Sequence, residues 1–221
     1  MLKFLFKWAL RLFLLGVVLA IILLLSLNSI LRAIAEHNIR ARTGMDAEIG
    51  RFSLGLLSPT IEIQDLKIYN STNFGGGLFL DIPEIHVEYD RAALRRHEFH
   101  ITLVRFNLAE VDIVKNEAGQ TNLLSLGIAP SQKTSASSNP ATYFKQQTGY
   151  ALAPIDVLNV SIGTLKFIDL KNPRKILTQK IDIEDLPIRN VKSLNDLSGL
   201  MVLVGLRGGD FFKSLVVPAG H

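Results

Sequence analysis

No cysteine occurs in the 221-residue sequence. Thiol nucleophiles, cysteine metal sites and disulfides are thereby excluded, and a domain outside the cytoplasm must be held by its core alone. Nucleophile motifs are missing as well. No serine lies in Gly-x-Ser-x-Gly, and Phe74-Gly75-Gly76-Gly77 is not followed by Lys-Ser/Thr, so it reads as a hairpin loop and not as a phosphate cradle. Histidines are few: His37, His86, His97, His100 and His221. His97 and His100 are three apart where a turn is expected to run into a strand, so they need not share a face. No third ligand stands at a metal-site spacing. Asp182, Glu184 and Asp185 read as a solvated strand face. An excess of one charge is also missing from the body of the chain. Of 24 basic residues, Lys3, Lys7, Arg11 and Arg32 belong to the N-terminal region, which leaves 20 of each sign over 33–221. A sequence pI of about 9.4 therefore gives no support to a nucleic-acid partner. The expectation is a non-enzyme with no catalytic residues, no metal and no cofactor.

The sequence does contain one uncharged run, Leu12–Leu31. About 20 residues at 1.5 Å rise make a helix roughly 30 Å long, the thickness of a bilayer's hydrocarbon core. Lys3, Lys7 and Arg11 precede it, which favours a cytoplasmic N-terminus. Trp8, Phe4 and Phe6 fit an interfacial aromatic belt. Ala33-Ile34-Ala35 has the form of a cleavage site, but the run exceeds the roughly 7–15 apolar residues of a signal peptide's core. A retained transmembrane anchor over 12–34 is expected, with 1–11 in the cytoplasm.

Beyond it the period changes from helical to alternating. Ala47, Ile49, Phe52 and Leu54 mark a first strand with a slip near Gly50. Ile61, Ile63, Leu66 and Ile68 mark a second, with a bulge at Gln64-Asp65. Leu80 to Tyr89 gives a third, which Pro83 demotes to an edge or a bulge. Arg91 to Glu98 reads as a charged turn or short helix. Phe99 to Leu108 gives a fourth strand and Val111 to Val114 a fifth. Asn122 to Gly127 reads as a short helical cap, and Pro130–Thr142, rich in Ser, Thr and Pro, as a mobile linker. Strands resume over 155–162, 164–170 and 181–188, and 195–206 reads as an apolar helix capped near Asp196. The short spacing predicts an antiparallel meander. The expected fold class is mainly β with an N-terminal transmembrane helix: a twisted or curved antiparallel sheet with a few short helices. Residues 35–129 form one β-rich domain, 130–142 a linker, and 143–221 a second β-rich segment that completes the domain.

These elements, in order, resemble the AsmA family of envelope proteins, which is related to chorein-type lipid-transfer proteins. The likeness is carried by Thr43-Gly44 with Ala47-Glu48-Ile49-Gly50, by Leu56 to Ile63 and Asp65 to Asn70, and by Phe74-Gly75-Gly76. It continues through Pro83 to Val87 and on to Arg95, through Asn107 to Val114 and Gly119-Gln120-Thr121-Asn122-Leu123, and through Val160 to Phe167 with Asp169. The resemblance implies a sheet with an apolar face for lipid or a partner, on which Ile61, Ile63, Ile85, Val87, Ile101 and Leu103 are the candidate contacts. Arg91, Arg95 and Arg96 are candidates for headgroup contact. An open sheet of eight strands spans only about 35–40 Å, short of a Gram-negative periplasm. The expected function is a non-catalytic accessory or structural subunit of an envelope complex, anchored in the bacterial inner membrane with its main domain periplasmic. Lipid binding or transfer in envelope biogenesis is the alternative. Membrane lipids and other integral membrane subunits are the expected partners.

Overall fold

A computed structural model describes residues 2–55, 58–123, 140–172, 174, 176–209 and 211. Helix α1 (Leu2–Thr43) ends where Gly44 takes the left-handed conformation (φ 68°) and its N–H donates to the Arg40 carbonyl at 2.9 Å. A glycine adopts this conformation without strain, and Arg40 and Arg42 in the last turn suit the negative end of the helix dipole.

Turning back at Gly44, the chain enters β1 (Asp46–Leu54), which runs antiparallel to α1's second half along the sheet edge. An edge strand exposes unpaired backbone groups, and here α1 meets them with side chains. Glu36 Oε1 accepts from the Ile49 N–H at 2.9 Å and Asn28 Oδ1 from the Leu54 N–H at 3.1 Å. Arg32 donates to the Gly50 carbonyl at 3.2 Å and pairs with Glu36 at 3.0 Å. Arg40 and Asp46 close the series at 2.6 Å. Ala35 and Ile39 pack into the core beside β1. The edge is covered by a helix.

The main sheet has six strands in the order β1, β2 (Thr60–Tyr69), β3 (Leu78–Tyr89), β5 (Ile101–Lys115), β7 (Ile155–Asp169) and β8 (Ile176–Val191). In every strand two apolar residues three apart belong to the core: Ile49 and Phe52, Ile63 and Leu66, Ile82 and Ile85, Leu108 and Val111, Ile162 and Leu165, Ile183 and Leu186. Strict alternation puts residues three apart on opposite faces. The strands reconcile the two by each giving up ladder pairing between these two residues. Gly50, Asp65, Pro83, Ala109 and Gly163 are left out of the ladder, and in β8 Asp182 and Asp185 take positive φ. These positions line up across the sheet as one transverse crease, and the apolar face continues across it. Gly163 is required there: a Cβ would lie 2.4 Å from the Ala109 carbonyl oxygen.

Two clusters fill that face. One holds Ala47, Ile49, Leu66 and Ile82; the other holds Met45, Phe79, Val111, Ile113, Leu165, Ile181, Ile183 and Phe211. Helix α4 (Ser198–Gly208) covers the second with Leu200, Leu203 and Val204. It follows a 3₁₀ turn (Leu194–Leu197) opened by a capping box between Ser193 and Asp196. Backbone donors at Lys192 and Ser193 hold the exposed Asp196 carboxyl below its ordinary pKa.

The expected fold class is corrected on two counts. The sheet is mixed, because β5 and β7 run parallel, from Leu103 beside Val157 to Lys115 beside Asp169. A parallel pair needs a crossover of a dozen or more residues, and the chain between Lys115 and Ile155 is long enough to supply it. Within it, α3 (Pro140–Thr148) and β6 (Ala151–Leu152) return to β4 (Glu98–Phe99), where β6 and β4 pair in parallel. Second, among the described residues no helix is long and apolar enough to cross a membrane, so a transmembrane helix is not part of the observed fold class. From Asn28 onward α1 is instead bound to β1 through polar and charged side chains; the side chains of 2–13, 17 and 20–25, Trp8 included, lie outside the described residues.

Smaller differences follow from the crease. From Ile101 onward the expected fourth and fifth strands are one strand, β5, while Phe99 belongs to β4; the strands expected over 155–162 and 164–170 are one strand, β7. Pro140–Thr142 of the expected linker is helical; its remainder, 130–139, lies outside the described residues, as do 124–127 of the expected cap and the tail after 211.

Candidate functional site

The sheet has two ends, and α1 distinguishes them. Thr43 lies at the Gly44 end, while Asn28 reaches Leu54 at the opposite end, which also carries the β3–β5 connection. The uncharged run Leu12–Leu31 therefore leads away from this second end. Of that run, Leu14, Leu15, Val18 and Leu19 are each more than half exposed.

At the same end, Asp90 caps α2 (Arg91–Leu94) by accepting from the Ala92 N–H at 2.7 Å. The exposed side chains of Arg91, Arg95 and Arg96 radiate from this short helix and the turn after it. Arg91 donates to the Gly55 carbonyl at 3.3 Å, which ties the turn to the end of β1. Arg96 lies 3.9 Å from both Asp90 and Glu98. Leu54, Gly55, Tyr89, Arg91, Leu94 and Arg95 line a shallow pocket of about 500 Å³ with apolar walls and arginines at its rim. Phe99 stacks on Tyr89 and touches Phe144 of α3, so aromatic contacts fix the turn against the crossover.

The candidate apolar contacts divide. Ile61 pairs with Val87 and Ile63 with Ile85, and β5 continues the row with Val104 and Phe106. All six are half-buried. Ile101 stands opposite Tyr89, beyond a bulge that frees Thr102. Leu103 stands opposite Glu88, which follows Val87 and so faces the other side of the sheet. Leu103 thus faces away from Ile61, Ile63, Ile85 and Val87, and the bulge at Thr102 lies between it and Ile101.

The polar face of the same strands carries a constellation invisible in the sequence. Ligand atoms of Glu62, Glu84 and His86 lie within 4.8 Å of one another, because Glu62 sits opposite His86 and Glu84 is two residues away along β3. Two carboxylates and an imidazole are donors for a divalent cation. Each is already engaged: Glu84 with Arg105 at 3.2 Å, His86 with Glu88 at 3.1 Å, and Glu62 as acceptor from Gln64 at 2.5 Å. A cation there must displace Arg105 and Gln64. The other histidines in the described sheet region do not converge. His97 packs on Tyr150, and His100 pairs with Asp156 at 3.0 Å. Asp182 and Asp185 form the crease, and the Asp182 carbonyl accepts from Arg207 of α4.

Near the Gly44 end, a buried polar group ties three segments together. Asn122, wholly buried, accepts from the Val114 N–H at 3.0 Å and donates to the Asp112 carbonyl at 2.8 Å and to Asn70 Oδ1 at 2.7 Å. Buried amides persist where their bonds are made. Asp112 is less well served: its Oδ1 is buried without a hydrogen-bond partner among the described residues. Burial, then the neighbouring Glu110 carboxylate, push its pKa up to about 6, against the opposing pull of Lys166. Lys166 itself donates to Glu110 at 2.6 Å, which raises its pKa. This group holds the turn after β5 to the end of β2. Its geometry is that of a structural tie.

An exposed apolar ridge lies on α4. Its Met201, Val202 and Leu206 are 69%, 60% and 76% exposed beside a groove of about 540 Å³ that Leu186, Pro187 and Ile188 share. Comparison with known protein families, with characterised proteins and with solved structures gives no match to this chain.

Proposed function

We propose that the chain is a non-catalytic accessory or structural subunit of a membrane or envelope complex, AsmA-like in kind. It acts at the bacterial inner membrane with its sheet on the periplasmic side. The attachment of α1 along the edge of β1 carries this reading, because it joins the uncharged segment and the six-stranded sheet into one unit. A device of that kind transmits position, and the exposed α4 ridge supplies a surface for a neighbouring subunit.

A second reading, lipid binding, has its own support. The row Ile61, Ile63, Ile85, Val87, Val104 and Phe106 is apolar yet half open. In vivo photo-crosslinking separates the two. Probes at Met201 or Leu206 trap a single stoichiometric membrane protein if the subunit reading holds. Probes at Ile63 or Val87 that trap lipid, with none at the ridge trapping protein, reverse the order.

A further inference from the structure

The Arg91 turn is the feature that the subunit reading leaves unused, and its position in the fold gives it a direction. α1 and β1 run side by side, so the strand axes share the axis of α1. The uncharged run emerges from the end of the sheet where Arg91, Arg95 and Arg96 are exposed. Among the described residues two carboxylates, Asp90 and Glu98, stand beside these guanidiniums, each 3.9 Å from Arg96, and Asp90 caps α2 through its other oxygen. Net charge there is positive, and apolar walls from Leu54, Tyr89 and Leu94 lie directly beneath it. Cationic rim over apolar floor is the chemistry that meets the headgroup layer of an anionic bilayer.

We propose that this end of the sheet seats on anionic phospholipid headgroups, with Arg95 and Arg96 on the phosphates, Arg91 bracing the turn against Gly55, and the strands standing away from the surface. The inference rests on the membrane location proposed above. β1's 9 residues, at about 3.3 Å each, place the Gly44 end roughly 30 Å further out. The arginine turn then holds this end of the sheet at the surface, with the α4 side presented laterally. Each basic side chain near an anionic surface is worth roughly fivefold in occupancy, so reversal of two shifts the seated-to-free ratio by about 25-fold or more.

Absence of native cysteine makes the test direct. Full-length protein carrying Ser58→Cys (Arg91 end) or Asn73→Cys (Gly44 end) is labelled with a fluorophore and reconstituted into vesicles with nitroxide headgroup lipids. The vesicles are phosphatidylcholine alone or with phosphatidylglycerol. Quenching at position 58 with phosphatidylglycerol, and none at position 73, is expected. The R95E/R96E variant loses it, and so does the native turn in 1 M salt, where the screening length falls to about 3 Å. Protein that floats with the vesicles while position 58 stays unquenched, or is quenched regardless of charge reversal, overturns the seating and leaves the membrane location standing. Protein that fails to float overturns both.

Discussion

Gly163→Ala tests the crease at its tightest point. The new Cβ falls 2.4 Å from the Ala109 carbonyl oxygen and 3.3 Å from its carbon, about 1 Å inside ordinary contact, and both are backbone atoms of a central strand. Overpacking in a rigid core costs up to about 3 kcal/mol. Removing a glycine restrains the unfolded chain and returns roughly 0.4–1 kcal/mol, which leaves a net loss near 2 kcal/mol. For a chain of this size that lowers Tm by roughly 4–8 °C. Two comparisons calibrate it. At Gly50 the nearest atom is the Asp65 Cβ at 2.8 Å, a less severe approach, so Gly50→Ala loses less. At Gly77 nothing lies within 4 Å, so Gly77→Ala is neutral or slightly stabilising. Circular dichroism melts of the three purified variants give the ranking. A Gly163→Ala protein that melts with Gly77→Ala refutes the crease as a close-packed feature.

Asn122→Ala orphans the Val114 N–H, the Asp112 carbonyl and Asn70 Oδ1 in the interior, and is expected to cost at least about 2 kcal/mol in urea unfolding; a loss under 0.5 kcal/mol contradicts the tie. Asp112 binds its proton more tightly folded than unfolded, so its contribution falls as pH rises from about 4 through about 6 and stays low above that. Asp112→Asn flattens that part of the stability-against-pH curve, and an unchanged slope in the variant refutes the assignment. Glu36→Ala leaves the Ile49 N–H of the edge strand without its acceptor, so hydrogen exchange at Ile49 is expected to rise severalfold while exchange at β7 is unchanged.

The apolar positions of the six-stranded sheet were legible in the alternation of the sequence, and so were the breaks at Gly50, Gln64-Asp65 and Pro83. Their meaning was not. A parity break looks the same whether a strand ends or bulges, so 101–114 divides into two strands by pattern and forms one in space. What decides is the neighbour: only the aligned breaks in adjacent strands show that each strand continues. The parallel pairing of β5 and β7 was hidden for a different reason. Its signal is the long return between Lys115 and Ile155, whose Ser/Thr/Pro-rich stretch has no hydrophobic period to read. Glu62 meets Glu84 and His86, some twenty residues later in sequence, only through the β2–β3 register. Arg91, Arg95 and Arg96 were visible as a basic turn, but their place beside the outgoing end of α1 comes from the hydrogen bond between Asn28 and Leu54.

Native mass spectrometry after gentle detergent extraction from the producing membrane tests the subunit reading most directly, since it weighs bound protein and bound lipid together. The expected result is the chain in a fixed stoichiometry with integral membrane partners and without a defined acyl ligand. A monomer carrying one acyl ligand per chain, with no partner, contradicts it.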